Sequence, residues 1–237
     1  MTRIVIFSDL HANWEALLAL QQAEPHPDAV LCLGDLVGYG PDARRCVEAV
    51  RTHVTHSLAG WHDRAVADSR LRSEDELLEA TWAHTRSVLP EAERDYLAGL
   101  PRQLDVELGG VRFHLMRLEP DDLNVEGTTL ITLPQARLRQ LVEGVQADFV
   151  LLGGPHLPAL RQVGRQVIVC PGSLGYPHYG TPDPTFAVWQ DGRVTIHHLH
   201  YHPDATIQKL MLLPLDPEHI LRIQAVLRTG GLEHRAS

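Results

Sequence analysis

Three short apolar runs, separated by helical stretches, limit this chain's fold more than any other feature. "RIVIFSD" (3–9), "AVLCLGD" (29–35) and "HVTHSLAG" (53–60) are rich in β-branched and apolar residues and end in small or polar ones, the pattern of buried strands. Between them, "WEALLALQQAE" places Trp14, Leu17 and Leu18 at helical spacing behind Asn13, a good helix cap. "PDARRCVEAVR" (41–51) opens on Pro and Asp and reads as a second helix. Strands alternating with helices in this way predict a parallel sheet in an α/β domain.

The rest of the chain fills in around that unit. Ser73 with Glu76 has the spacing of a capping box ahead of "LLEATWAHTRSVL", and Pro90 opens "EAERDYLAGL". Strands then return: "QLDVEL" and "VRFHLM" flank Gly109-Gly110, and "TFAVWQ" and "VTIHHLH" flank Asp191-Gly192, both hairpin signals. "ADFVLLG" (147–153) and "QVIVCPG" (166–172) lie between, with a helix expected from Pro134 to Val145. About ten strands in mixed order with helices outside are expected. No repeat or linker divides the chain, so residues 1–237 read as one domain, with a terminal helix and tail from about 214 to 237.

Composition excludes several classes of function. The formal charge is −9, from 30 acidic and 21 basic side chains, and Lys209 is the lone lysine. A duplex nucleic-acid binder needs a basic face, so such a partner is not expected. No apolar run of about eighteen residues is present, and the N-terminus lacks the long apolar region of a secretory signal. Cys32, Cys46 and Cys170 are odd in number and without metal-type spacing. Reduced thiols in a cytoplasmic protein away from membranes are the expectation.

The chemistry gathers where strands end. The first run ends Ser8-Asp9-Leu10-His11, the second Gly34-Asp35-Leu36-Val37-Gly38-Tyr39-Gly40, the third Gly60-Trp61-His62-Asp63, and "FVLL" ends Gly153-Gly154-Pro155-His156. Ligands of α/β sheets bind beyond the carboxyl ends of parallel strands. Asp and His brought there from distant positions suit a divalent cation with mixed oxygen and nitrogen ligands. Singly, each fragment is also ordinary: Asp-x-His caps turns, Gly-Asp is a turn, and His156 between prolines fits any loop.

"DLHAN", "GDLVGYGPD", "PGSLGYP" and the Gly60-x-His62-Asp63-Arg64 turn together resemble the calcineurin-like metallophosphoesterases, in particular the small prokaryotic predicted phosphodiesterases. The likeness runs from about Arg3 to about Trp189. It implies a four-layer α/β/β/α sandwich of two mixed sheets, and two metal ions bridged by an aspartate, with a metal-activated water attacking phosphorus. Residue by residue, Asp9, His11, Asp35 and His156 fall on the first ion's ligands, Asp35 being also the bridge. His62 falls on the general acid beside the leaving group, and Asp63 either orients it or caps the helix that follows.

The second ion's set is broken. The family's Asn in its Gly-Asn-His-Asp turn is Trp61 here, and the first His of its Gly-His-Thr-His motif is Gly154. The third position, a His three residues before a Pro, is Arg117 if Pro120 sets the register; His114 is the alternative. Arg117 can then place a fixed charge near the lost ion and bind phosphate through paired N–H groups, with Trp61 filling space. In the plainer alternative Arg117 points to solvent and Trp61 is merely tolerated.

The resemblance therefore implies a phosphoesterase carrying one divalent ion, manganese first and iron, zinc or nickel as alternatives. Its substrate would be a small phosphoester or nucleotide-like molecule; a homo-oligomer is left open. A non-catalytic relative that binds a phosphate-containing ligand or partner in a regulatory role is the alternative. Tyr39 and His178 are candidates to line the substrate cleft.

Overall fold

The computed structural model describes residues 2–118 and 129–231. Among the described residues ten strands form two five-stranded sheets. The first contains β1 (Arg3–Phe7), β2 (Ala29–Cys32), β3 (His56–Ser57), β9 (Thr185–Gln190) and β10 (Arg193–His198), in the order β10-β9-β1-β2-β3. The second contains β4 (Gln103–Leu108), β5 (Val111–Arg117), β6 (Phe149–Gly153), β7 (Ala159–Val163) and β8 (Gln166–Cys170), in the order β4-β5-β6-β8-β7. Each sheet is mixed. β1, β2 and β3 run parallel, as do β5, β6 and β8, while β9, β10, β4 and β7 pair antiparallel with their neighbours.

Side-chain alternation explains the layering. Along β1, Ile4 and Ile6 point between the sheets, where with Leu31, Leu33 and Leu58 they meet Phe113, Leu115, Phe149 and Leu151. Val5 and Phe7 point the other way, onto α1 (Trp14–Ala23), α2 (Ala43–His53) and α4 (Glu76–Val88) through Leu17, Leu20, Val47 and Trp82. The outer face of the second sheet packs Val150, Leu152 and Ile168 against Leu138 of α6 (Gln135–Leu141). This is the expected α/β/β/α sandwich.

Local details differ from the sequence reading. Asn13 caps α1 as expected, its Oδ1 accepting from the Ala16 N–H at 3.1 Å. The cap of α4, however, is Asp75, which accepts from the Leu77 N–H at 2.8 Å, while the Ser73 hydroxyl accepts from the Asp75 N–H. The run 53–60 keeps only two residues of strand because α2 runs on to His53 and the chain turns at Gly60. α6 stops at Leu141, short of the expected Val145. Two elements escape the periodicity reading: β7, whose "ALRQV" turns back onto β8 through Gly164, and α7 (Asp204–Leu210), too short to show a clear 3.6 period. α8 (Pro217–Thr229) forms the terminal helix. The three cysteines are buried and unpaired. Among the described residues no helix is long and apolar enough to cross a membrane.

Candidate metal centre

The loops after β1, β2, β6 and β8 meet at one end of the sandwich and are stitched by backbone hydrogen bonds. The N–H groups of Asp9 and His11 donate to the carbonyls of Gly34 and Asp35 at 3.0 and 2.9 Å. The N–H groups of Leu174 and Gly175 donate to Ser8 and Asp9 at 2.9 Å, and the Ser173 hydroxyl donates to the Asp9 carbonyl at 3.0 Å. Asp9, His11, Asp35 and His156 all adopt left-handed backbone, with φ of 56, 47, 52 and 58°. Such φ is uncommon for residues other than glycine and persists where surrounding structure imposes it. Four candidate ligands sharing it, all nearly inaccessible to solvent, marks a site whose backbone is held for its side chains.

The tautomers of two histidines follow from their partners. His11 Nδ1 lies 3.3 Å from the Val37 carbonyl, and His156 Nδ1 lies 2.9 Å from the Tyr176 carbonyl. A carbonyl only accepts, so each Nδ1 carries a proton, and Nε2 is the nitrogen each ring can offer as a ligand. Those two Nε2 atoms face each other at 3.3 Å. Asp9 Oδ1 is buried and lies 3.4 Å from His156 Nε2 and 2.8 Å from Arg117 Nη2. Two imidazole nitrogens and a carboxylate oxygen thus converge, with the Arg117 guanidinium on one side of the carboxylate, and a metal ion would be held by the electron pairs of all three. The ligand atoms of Asp9, His11 and His156 all lie within 4.8 Å of one another. Burial, and then the neighbouring His62 and His156, push the His11 pKa well down, which keeps its ring available as a ligand. These residues fit a divalent metal ion.

Asp35 stands apart from that trio. Its Oδ1 accepts from the His62 backbone N–H at 2.8 Å, and its Oδ2 accepts a short hydrogen bond from Arg117 Nη2. With His11 and His62 it forms a second grouping within 4.8 Å. Asp35, on which the resemblance places a bridge, thus has a guanidinium on its Oδ2.

Arg117 ends β5 and is buried. Its Nη2 lies 2.8 Å from Asp9 Oδ1 as well as against Asp35, and its Nη1 donates to the Ser8 hydroxyl at 3.2 Å and the Leu33 carbonyl at 3.3 Å. Burial works against the charge, but Asp35 and Asp9 outweigh it and raise the Arg117 pKa. Burial likewise raises both carboxylates, and Arg117 overrides it and holds Asp9 and Asp35 low. Arg117 does not point to solvent. Nor does it offer phosphate a paired clamp, because both Nη groups are engaged by the protein. Nε alone is buried and unpartnered among the described residues.

His114, three residues earlier, has the opposite strand parity. Its Nδ1 pairs with Asp105 Oδ1 at 2.7 Å on another face of the sheet. Pro120, which separated the two registers in the sequence, lies outside the described residues. Gly154 stands beside the guanidinium, paired in sequence with the Gly153 that registers against Arg117. A Cβ added at Gly154 would lie 3.4 Å from Arg117 Nε and 2.6 Å from the Leu118 carbonyl, on a backbone with φ of 114°. A histidine is opposed here first by the Leu118 carbonyl and the left-handed backbone, with Arg117 at ordinary contact distance beyond them.

Gly60, Trp61, His62 and Asp63 open α3 (Trp61–Ala67). Of the two roles open to Asp63, orienting His62 or capping the helix, its bonds are those of the cap. Its Oδ1 accepts from the Leu36 and Val37 N–H groups at 2.8 and 3.2 Å, and its Oδ2 from Gly60 at 2.8 Å, so it ties the helix start to the Asp35 loop. Burial, and then the charge of Asp35, push it up to about 7 against those N–H groups. The group bonded to the His62 ring is instead Trp82, whose Nε1 donates to Nδ1 at 3.0 Å. Trp82 carried no signal in the sequence beyond its place on the apolar face of a helix; a buried indole N–H needs an acceptor, but the pattern does not say which. Gly38, with φ of 94°, passes so close that a Cβ there would overlap His62 Nδ1.

The cleft over this cluster has a volume of about 220 Å³ and includes Tyr39, Trp61, His62, Arg117, His156 and His178 in its walls. Tyr39 stacks on Tyr176 at 4.1 Å, and His178 lies 4.3 Å from His156.

The description that matches residues 2–191 is the calcineurin-like phosphoesterase superfamily domain. The chain belongs to this superfamily. Its relatives include a metallophosphoesterase from Sphaerobacter thermophilus, whose crystal structure is 25% identical and superposes with a TM-score of 0.74 over 94% of this chain and 99% of that one. A hypothetical protein from Pyrococcus horikoshii OT3 is 23% identical, with a TM-score of 0.82 over 98% of this chain and 99% of that one. An uncharacterized protein of Methanocaldococcus jannaschii is 22% identical over 232 residues, 88% of this chain and 91% of its own length. Superfamily membership makes this a metal-dependent phosphoesterase in kind, a hydrolase of phosphoric ester bonds.

Burial is the main cause that lowers the His62 pKa to about 4, whereas the unfolded chain protonates near about 6.5. Unfolding between those values takes up a proton, so the part of stability owed to His62 is intact above about pH 6.5 and is lost as the pH falls toward 4. Comparing wild type with His62→Gln isolates this ring from other titrating groups. In urea titrations the stability of wild type relative to the variant is expected to fall by roughly 2 kcal/mol between pH 7 and pH 5. A constant difference would show that the ring titrates alike in both states.

Proposed function

We propose that this phosphoesterase works with one divalent ion, held by Asp9, His11 and His156 with Asp35 at its edge, and with Arg117 in place of a second ion. The observation that carries this reading is the guanidinium lodged between Asp9 and Asp35, beside the converging ligand atoms of Asp9, His11 and His156. When bound, the ion supplies Lewis acidity toward a phosphoryl oxygen and makes water a better nucleophile at neutral pH. Arg117 neutralises the two carboxylates that would otherwise repel an anionic substrate. His62 lines the cleft and acts on the leaving-group side. The cleft volume suits a phosphodiester or phosphomonoester with a small or flat leaving group, and manganese is the first metal to try.

A second reading, a regulatory relative that binds phosphate without turnover, draws support from one observation: both oxygens of Asp35 already have donors, which weakens the bridge on which two-ion catalysis relies. Purified protein reconstituted with Mn²⁺ and desalted is expected to hold about one ion per chain by elemental analysis, and to hydrolyse bis-p-nitrophenyl phosphate. Two tightly held ions would refute the role given to Arg117. One ion and phosphate binding, without turnover of a diester or monoester under Mn²⁺, Fe²⁺, Zn²⁺ or Ni²⁺, would decide for the second reading.

A further inference from the structure

His62 meets four rings. His11 approaches it at 4.8 Å between centroids, Tyr39 at 4.8 Å, Trp61 at 5.8 Å and Trp82 at 5.7 Å. Only the Trp82 contact is directional: the indole N–H donates to Nδ1 at 3.0 Å. Indole nitrogen has no lone pair to offer and can only donate. The hydrogen bond therefore requires a bare Nδ1, and the proton of the neutral imidazole must sit on Nε2.

Trp82 is held firmly enough to impose this. It is wholly buried on α4, and its ring meets Trp61 edge-on at 4.9 Å with an interplanar angle of 88°. Trp61 stands where the resemblance calls for a metal-binding asparagine, and here it braces the indole that holds the histidine. On another side, Gly38 passes so close to Nδ1 that the ring has no room to swing toward it. The ring is thus fixed by a donor and by close packing rather than by a carboxylate; the nearest carboxylate in the sequence, Asp63, has both oxygens on backbone N–H groups.

We infer that Trp82 is a positioning residue that fixes His62 as its Nε2–H tautomer, so that His62 serves a phosphoester as a hydrogen-bond donor to an oxygen rather than as the acid that gives up a proton. The catalytic half of this statement rests on the phosphoesterase reading above; the tautomer does not. Two N–H groups would confront each other if the ring carried a proton on Nδ1 as well, so the geometry opposes the imidazolium that a general acid requires. A fixed N–H aimed at developing negative charge needs no proton transfer and no reorganisation at the moment of reaction.

The test begins with the wild-type protein. Two-bond ¹H–¹⁵N spectra at pH 7, with the His62 signals identified by their loss in His62→Gln, are expected to show a pyridine-type Nδ1 and a pyrrole-type Nε2. A protonated Nδ1 overturns the proposal with no variant required. The Trp82 indole proton, identified by its loss in Trp82→Phe, is expected to move upfield in His62→Gln as its acceptor is lost; an unmoved signal also overturns it. Trp82→Phe removes the donor and keeps a ring. With Mn²⁺ and bis-p-nitrophenyl phosphate, its kcat is expected to fall about tenfold with KM little changed, the loss of one hydrogen bond's worth of orientation, while His62 becomes a mixture of tautomers. An unchanged kcat in a folded variant overturns the catalytic half. Should wild type turn over no phosphoester, the functional reading fails, and the spectrum still decides the tautomer.

Discussion

Arg117→Met is expected to destabilise the protein by about 3–5 kcal/mol at pH 7, the range for removing one partner of a buried ion pair. The cause is specific. Asp9 and Asp35 are 0 and 2% exposed, and Arg117 is the cation that holds both low. Without it two buried carboxylates face each other, and each must take up a proton, find a cation or move the loops that carry it. Three consequences follow from that choice. Urea titration should show the midpoint falling at unchanged slope. The loss should shrink at pH 5, where one carboxylate can protonate. Millimolar Mn²⁺ should restore part of it, because an ion bound only by the folded state adds stability by mass action. Arg117→Lys should fall between the two, since an ammonium keeps the charge but cannot reach Ser8, Leu33, Asp9 and Asp35 together. An Arg117→Met midpoint equal to wild type would mean that the guanidinium contributes nothing net, and the substitute-cation role would be lost with it.

The same geometry couples Arg117 to Gly154. Gly154→His alone drives a side chain into the Leu118 carbonyl and the guanidinium from a backbone with φ of 114°. Arg117→His would leave the Leu118 carbonyl and the φ in place but remove the guanidinium that a new ring would pack against, so the same change should cost less in that background. The pair is expected to be non-additive, and the addition of Trp61→Asn is the combination most able to raise metal content from about one ion toward two.

His156→Ala is expected to lower phosphoester turnover more than 10²-fold, since losing even the groups that orient metal ligands typically costs 10–100-fold. His156 is the cleanest ligand to remove. Asp9 also pairs with Arg117, so its loss confounds metal affinity with buried-charge effects. His156 touches the trio through Nε2 alone, and its Nδ1 partner is only a carbonyl. The variant should remain folded, bind Mn²⁺ weakly by calorimetry, and lose the thermal shift that the ion gives wild type. Retained turnover at full metal affinity would place the ion elsewhere and refute the trio as the centre.

The contrast between Arg117 and Asp63 shows how far residue patterns reach. Arg117 was a candidate because motif spacing put it on a ligand position, and the structure does place it beside Asp9 and Asp35. The expectation of a paired phosphate clamp fails for it, because a guanidinium has few N–H groups and the protein engages four contacts of its own. Asp63 reads as chemical from its place after His62, yet both its oxygens satisfy backbone donors. A motif records which residue types stand in order; it does not record how their donors and acceptors are spent.

By itself the order of residues determined the α/β alternation, the two hairpins, the cap at Asn13 and the four loops that carry aspartate and histidine. These follow from short-range rules: side-chain period, turn chemistry and the ends of apolar runs. Tertiary structure alone decided that three ligand atoms converge, that one oxygen of Asp35 meets Arg117, and that Trp82, twenty residues from His62, chooses which nitrogen holds the proton. Those outcomes depend on hydrogen-bond partners brought together from distant parts of the chain, and a donor's partner is set by distance and angle in space, which no local pattern contains.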